Sequence, residues 1–223
     1  DPAMEAAQAF AKHLSEAGIT VDGEPSRAAA SGGARELASV SSAPLSDILA
    51  LSLKTSDNTM TEVEGRLVAV HAKQSADFAG ASKAVIAQLG KDGFDTSGLT
   101  LLDASGLAKG NKVPARLLAQ ILAKAAGGEG GSAGRTLIAD LPVAALDGTL
   151  TNRLHDTTAA GTVRAKTGSL ERTSSLAGVV TTADGRLLAF SILANDFPAN
   201  GGGAAAAVID SRFVAPLASC GCS

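Results

Sequence analysis

Val163-Arg164-Ala165-Lys166-Thr167-Gly168-Ser169 opens the part of the chain whose reading decides the fold. Upstream of it apolar residues recur at helical spacing; from here the period shortens to that of strands. Two further runs, 175–182 and 187–195, read the same way, and Asp184-Gly185 between them signals a tight hairpin. A Gly/Asn turn at 200–203 then leads into a final helix over 204–218. The spacing therefore predicts an antiparallel meander closed by a helix.

Outward toward the N-terminus the pattern is helical. Asp1-Pro2 offers an N-cap carboxylate followed by proline at the first helical position, and Met4, Ala7, Ala11 and Leu14 follow at helical spacing until Gly18. Residues 19–21 read as a short strand, and 22–36, rich in Gly, Ala and Ser, as a loop. Helices are expected over 45–54, 60–70 and 77–89. Pro114 starts an amphipathic helix with Leu117, Leu118, Ile121 and Leu122 on one side, and 127–134 reads as a flexible loop. Helices first, then a meander, then a closing helix predict an α+β protein with its antiparallel sheet covered by helices. The mainly helical part runs over about residues 40–145 and the sheet part over about 160–223.

Composition removes several functions. Lys+Arg at 19 against Asp+Glu at 22 gives no basic field for a nucleic-acid backbone. There is no Trp or Tyr, so bases have only six scattered Phe to stack on; nucleic acid is not an expected partner. The mostly apolar stretch 187–194 falls far short of the roughly 20 residues that cross a bilayer. No secretory signal is visible at Asp1-Pro2. Cys220 and Cys222 form a tail that cannot staple a fold, and they lack a nearby His for a zinc site. An exported tail disulfide and an inert ending are the readings open to them. His13, His71 and His155 stand apart from one another and from the cysteines, so no hydrolytic zinc site is expected. Without a G-x-S-x-G elbow, a Ser-His-Asp triad has no support either.

Two triplets stand out. Ser56-Asp57-Asn58 follows directly on a predicted helix, and Lys166-Thr167-Gly168 lies in a predicted strand. Alone, the first is an ordinary turn or helix cap and the second an ordinary edge-strand triplet. Together, in this order and about 110 residues apart, they resemble the paired signature of penicillin-binding proteins and class A β-lactamases. A phosphate loop ending in Lys166-Thr167 is rejected: Ala165 occupies the place where glycine must let the backbone wrap the phosphate, and the segment continues as strand.

The resemblance extends further. Leu53-Lys54-Thr55-Ser56-Asp57-Asn58-Thr59-Met60-Thr61-Glu62 is similar to the Ser-Asp-Asn segment of the peptidase family S13 penicillin-binding proteins, which are D-alanyl-D-alanine carboxypeptidases and endopeptidases. Leu102-Asp103-Ala104-Ser105-Gly106-Leu107 with Asn111 resembles their Asp-x-Ser-Gly-Leu segment. Leu141-Pro142-Val143, Gly148-Thr149-Leu150 and Arg153-Leu154 resemble the run leading to their Lys-Thr-Gly strand. The likeness covers most of the chain from Phe10 onward. It implies the penicillin-binding protein/β-lactamase-like transpeptidase fold, incomplete in this chain. The family's nucleophile lies in Ser-x-x-Lys, and no serine stands three residues before any lysine here. The chain therefore reads as the C-terminal portion of a larger penicillin-binding domain. Ser-x-x-Lys is expected on an N-terminal portion of the same protein, the alternative being a non-catalytic peptidoglycan-binding module of the same fold.

What the resemblance implies is acyl transfer to serine followed by hydrolysis, without metal or organic cofactor, on peptidoglycan stem peptides ending in D-Ala-D-Ala, with β-lactams as inhibitors. Ser56, Asn58 and Lys166 would be catalytic: Ser56 as a proton carrier, Asn58 on the substrate amide, Lys166 as a fixed positive charge. Thr167 would bind the terminal carboxylate, Gly168 would allow close approach, and the Ser169 N–H would belong to an oxyanion hole. Asp57, Asp103 and Ser105 would be structural residues near the site. Such a substrate implies a bacterial, extracytoplasmic location, in the periplasm or cell envelope or secreted.

Overall fold

The structure, a computed structural model, describes residues 1–29 and 32–221. The tail reading involves Cys222, and part of the 22–36 loop reading falls on residues 30 and 31; these lie outside the described residues. The chain divides into two compact units, Asp1–Ser42 and Ala43–Ser223.

The first unit is built on α1 (Pro2–Glu16), capped by the Asp1 carboxylate, which accepts from the Ala3 N–H. Gly18 (φ +80°) turns the chain out of the helix. Residues 19–21 do not form the predicted strand. Among the described residues no neighbouring segment pairs with them, and Ile19 and Val21 stay exposed; β propensity without a partner makes no ladder.

In the second unit α2 (Leu45–Thr55), α3 (Asn58–His71) and α4 (Phe78–Lys91) follow in order. The Asp57 and Asp77 carboxylates cap α3 and α4, accepting from the N–H groups of Met60 and Gly80. Gly65 and Ala69 of α3 meet Ala81 and Ala84 of α4. Small residues at this seam let the helix axes come close. After α5 (Ala115–Ala126) the structure departs from the sequence reading, because α6 (Gly131–Asp140) begins inside the expected flexible loop. The glycines there serve packing rather than mobility: a Cβ on Gly134 would lie 3.0 Å from the Ala125 Cα, and one on Gly130 3.3 Å. Only bare backbone lets the start of α6 lie so close to the end of α5.

The strands β1 (Val163–Leu170), β2 (Thr173–Thr181) and β3 (Leu187–Asn195) form an antiparallel sheet in the order β1-β2-β3. The predicted hairpin is present, with Gly185 at φ +84°. Lys166 pairs with Ala177 and Gly168 with Ser175. On one face Val163, Ala165, Leu176, Val180 and Phe190 pack with Ile209, Val214 and Ala218 of the C-terminal helical segment. That segment is one helical run with a π turn: α7 (Gly202–Val208), the π turn Ile209–Val214 and α8 (Ala215–Ser219). Each fully buried Val or Leu of this core contributes about 1.5–3 kcal/mol over exposure. α5 lies along β3 and β2, and its buried Leu117, Leu122 and Ala125 stand outside that first core. The α+β expectation, with helices covering an antiparallel sheet, is borne out. Among the described residues no helix is long and apolar enough to cross a membrane.

Candidate active site

α2 and α3 are joined by two residues. To reverse direction in so little chain, Ser56 takes the left-handed conformation (φ 56°, ψ 45°), which costs a non-glycine residue about 1 kcal/mol or more. Asp57 then caps α3, and the Thr61 hydroxyl donates back to the Asp57 carbonyl at 2.8 Å. The strained turn thus puts the Ser56 side chain at an apex, with both flanks hydrogen-bonded. Asn58 is the first residue of α3, and its side chain is exposed.

Lys166 approaches from β1. Its neighbours Val163 and Ala165 point into the core, so alternation turns Lys166 and Gly168 to the other face. There the Lys166 ammonium donates to the Ser56 hydroxyl at 2.6 Å and to the Thr167 carbonyl at 2.9 Å. Burial pushes its pKa below the ordinary lysine value, and among the described residues no carboxylate offsets that cost. A half-buried cation without a counter-charge is poised to receive an anion.

The rest of the triplet lies along a free edge. The Ala165 N–H donates to the Pro142 carbonyl and the Val163 carbonyl accepts from the Ala144 N–H, so odd-numbered residues of β1 turn their backbone groups away from β2. By that alternation the Thr167 and Ser169 N–H groups face the same edge, and beyond Ala165 no strand of the described residues covers it. The Thr167 hydroxyl donates to the Thr149 hydroxyl at 2.9 Å. At Gly168 a Cβ would overlap the Ser175 hydroxyl across the strand pair, so glycine serves the sheet itself as well as any approaching ligand.

A strap between the helical and sheet parts holds these groups in register. The Lys54 ammonium donates to the Leu141 carbonyl at 2.8 Å and to the Asp147 carboxylate at 2.7 Å. The other carboxylate oxygen accepts from the Val143 N–H at 2.7 Å. Burial alone would raise the Asp147 pKa, but the hydrogen bonds from Lys54 and Val143 outweigh it and hold the carboxyl below its ordinary value. Gly148 (φ +56°) lies against the end of α2, where a Cβ would be 2.8 Å from the Lys54 carbonyl oxygen. Lys54 and Thr149 fall within segments that carry the resemblance but have no role of their own there, and Asp147 falls outside them, because pairs this far apart follow no period.

Asp103 and Ser105 sit apart from Ser56 and Lys166 in their bonding. Asp103 is buried and accepts from Gly106 N–H (2.9 Å), Ala108 N–H (2.6 Å) and the Asn111 side chain (2.7 Å). Burial pushes its pKa up, and these hydrogen bonds more than reverse the push. The Ala104 and Ser105 N–H groups donate to Glu62 of α3, one turn beyond Asn58. This loop braces α3. Glu62, which makes that brace, closes the segment that carries the Ser-Asp-Asn resemblance, but nothing in the sequence pattern gives it this role. Among the described residues no group of three or more His, Cys, Asp or Glu side chains gathers to hold a metal.

Residues 1–213 match the model of the D-Ala-D-Ala carboxypeptidase 3 (S13) family. The chain belongs to this family. It is 41% identical to carboxypeptidase DacB of Mycolicibacterium smegmatis, over 99% of this chain and 47% of the relative. It is 36% identical to the D-alanyl-D-alanine carboxypeptidase of Actinomadura sp., over 87% of this chain and 37% of that protein. The crystal structure of penicillin binding protein 4 (DacB) of Haemophilus influenzae, complexed with a β-lactam, superposes with a TM-score of 0.76 at 32% identity. That superposition covers 85% of this chain and 44% of the other. The S13 chain thus spans between about a third and a half of the length of the curated relatives it matches, and the resemblance read from its motifs is borne out.

Proposed function

We propose that this S13 chain supplies the Ser-Asp-Asn and Lys-Thr-Gly side of a serine D-alanyl-D-alanine carboxypeptidase/endopeptidase. It would act on extracytoplasmic peptidoglycan through an acyl-serine intermediate and be blocked by β-lactams. The observation that carries the reading is the 2.6 Å bond from the Lys166 ammonium to the Ser56 hydroxyl, made between residues 110 apart in the chain. The nucleophile itself belongs to a Ser-x-x-Lys on an N-terminal portion of the same protein. The greater length of the relatives supports such a portion. So does an apolar stripe on α3, where Val63, Leu67 and Val70 stand 51%, 53% and 58% exposed on the side away from Gly65 and Ala69.

In this reading the stem peptide lies along the free edge of β1 as an added strand. Its terminal carboxylate meets the uncompensated charge of Lys166 and the hydroxyl of Thr167. Asn58 holds the substrate amide. The serine attacks the carbonyl of the penultimate D-Ala, and the oxyanion forms against the Ser169 N–H and that of the attacking serine. Ser56, bonded to an ammonium, keeps its own proton free to move toward the departing amine; its oxygen then accepts a replacement. Asp57, Asp103 and Ser105 hold the scaffold.

Labelling of the full-length protein with a fluorescent penicillin tests this. Label is expected on the portion carrying Ser-x-x-Lys, and its rate of incorporation should fall strongly when Lys166 is replaced by alanine. A full-length protein that binds stem peptide yet takes no label would instead be a non-catalytic peptidoglycan-binding module.

A further inference from the structure

The Thr149 hydroxyl lies 2.9 Å from that of Thr167 and is presented by a 3-10 turn, Gly148–Leu150, that is anchored on several sides. Leu150 is fully buried in the core. The preceding Asp147 is bonded to Val143 and Lys54, and Gly148 abuts the end of α2. Farther on, the Arg153 guanidinium makes two bonds, 2.9 and 2.6 Å, to the Asp210 carboxylate in the C-terminal segment. The turn therefore has little freedom to drift, and Thr149 is held at Thr167 rather than meeting it by chance.

A hydroxyl has one proton to give and two lone pairs. Here Thr167 gives its proton to Thr149, and among the described residues the Thr149 proton has no acceptor. An arriving carboxylate carries no proton and sits beside the Lys166 charge. Thr167 can then turn its proton to the anion, and Thr149 can reverse and donate to the vacated lone pair on Thr167. Two hydroxyls in series make the first a stronger donor, since each bond polarises the next. A neutral end group gains less from that order.

We infer that Thr149 is a specificity-determining residue, which forms with Thr167 a two-hydroxyl relay favouring substrates with a free terminal carboxylate. The inference rests on the reading of Lys166 and Thr167 as the carboxylate end of an acyl-transfer site. The test uses full-length protein and compares acylation by a penicillin with that by its carboxylate methyl ester. Thr149→Val should slow acylation by the free acid about five- to tenfold, the equivalent of one hydrogen bond, and change the ester rate less than about twofold. Thr149→Ser should restore the preference. If the valine variant does not fold, Thr149→Ala carries the same comparison.

Equal slowing of both compounds, or no change in either, overturns the relay while the acyl-transfer reading stands. A parent protein that neither compound acylates overturns that reading and the relay with it.

Discussion

The two faces of β1 carry neighbouring residues into opposite environments. Val163 and Ala165 are wholly buried among Leu176, Val180 and the C-terminal helical segment. Lys166 and Gly168, one residue out of step, lie on the other face and remain partly open, and Lys166 meets Ser56 there. As far as Ala165 the first face asks only for apolar volume. The second holds a cation out of water with no carboxylate of the described residues beside it, an arrangement that by itself works against folding. The core on one side of the strand supplies the stability that lets the other side be kept in this unfavourable state.

If the faces divide the work in this way, substitutions should separate activity from stability. Lys166→Ala should reduce acylation by about 10²–10³, the scale for loss of one preorganised electrostatic group, and leave the melting temperature unchanged or slightly raised. Retained acylation would erase the distinction. Leu176→Ala, opposite Thr167 on β2 and fully buried, should do the reverse. It should lower unfolding free energy by about 3 kcal/mol in denaturant titrations, with acylation per folded molecule within about threefold of the parent.

An alkaline titration sharpens the contrast. The folded-state pKa of Lys166 is lowered, so on raising the pH the folded protein loses this proton before the unfolded chain does. The unfolded state then binds more protons, and stability rises with pH in that window. Acylation, which needs the ammonium, should fall over the same window, with a midpoint below the 10.5 of an unperturbed lysine. Parallel loss of both quantities would assign the transition to another group.

The smallest expected effect is at Gly168. An added Cβ meets the Ser175 hydroxyl, the end of a short side chain that can rotate away. Gly168→Ala should therefore slow acylation less than about tenfold. Adding Ser175→Ala should recover most of the loss, and a double variant as slow as the single one would place the constraint on the substrate side instead.

Much of this was legible in local pattern. The three strands, the Asp184-Gly185 hairpin and the stripe of α5 follow from spacing, since burying one face of a strand or helix demands its own period. The same rules misread two places for want of context. Residues 19–21 had strand propensity but no strand beside them, and the glycines at 130 and 134 looked like mobility when they are the contact between α5 and α6. The paired triplets marked Ser56, Asn58 and Lys166, whereas Lys54, Glu62, Asp147 and Thr149 carried no comparable mark.

Composition and periodicity were enough for an α+β fold, and the two triplets with their flanking segments were enough for the S13 family. Which atoms meet depends on how α2 and α3 dock against β1. Lys166 reaches Ser56 across 110 residues, Lys54 reaches Asp147 across 93, and Thr167 reaches Thr149 across 18. Periodicity arises from each element burying its own face, so it is written along the chain. A hydrogen bond between distant side chains arises from the packing of whole elements, and its sign appears only once they are packed.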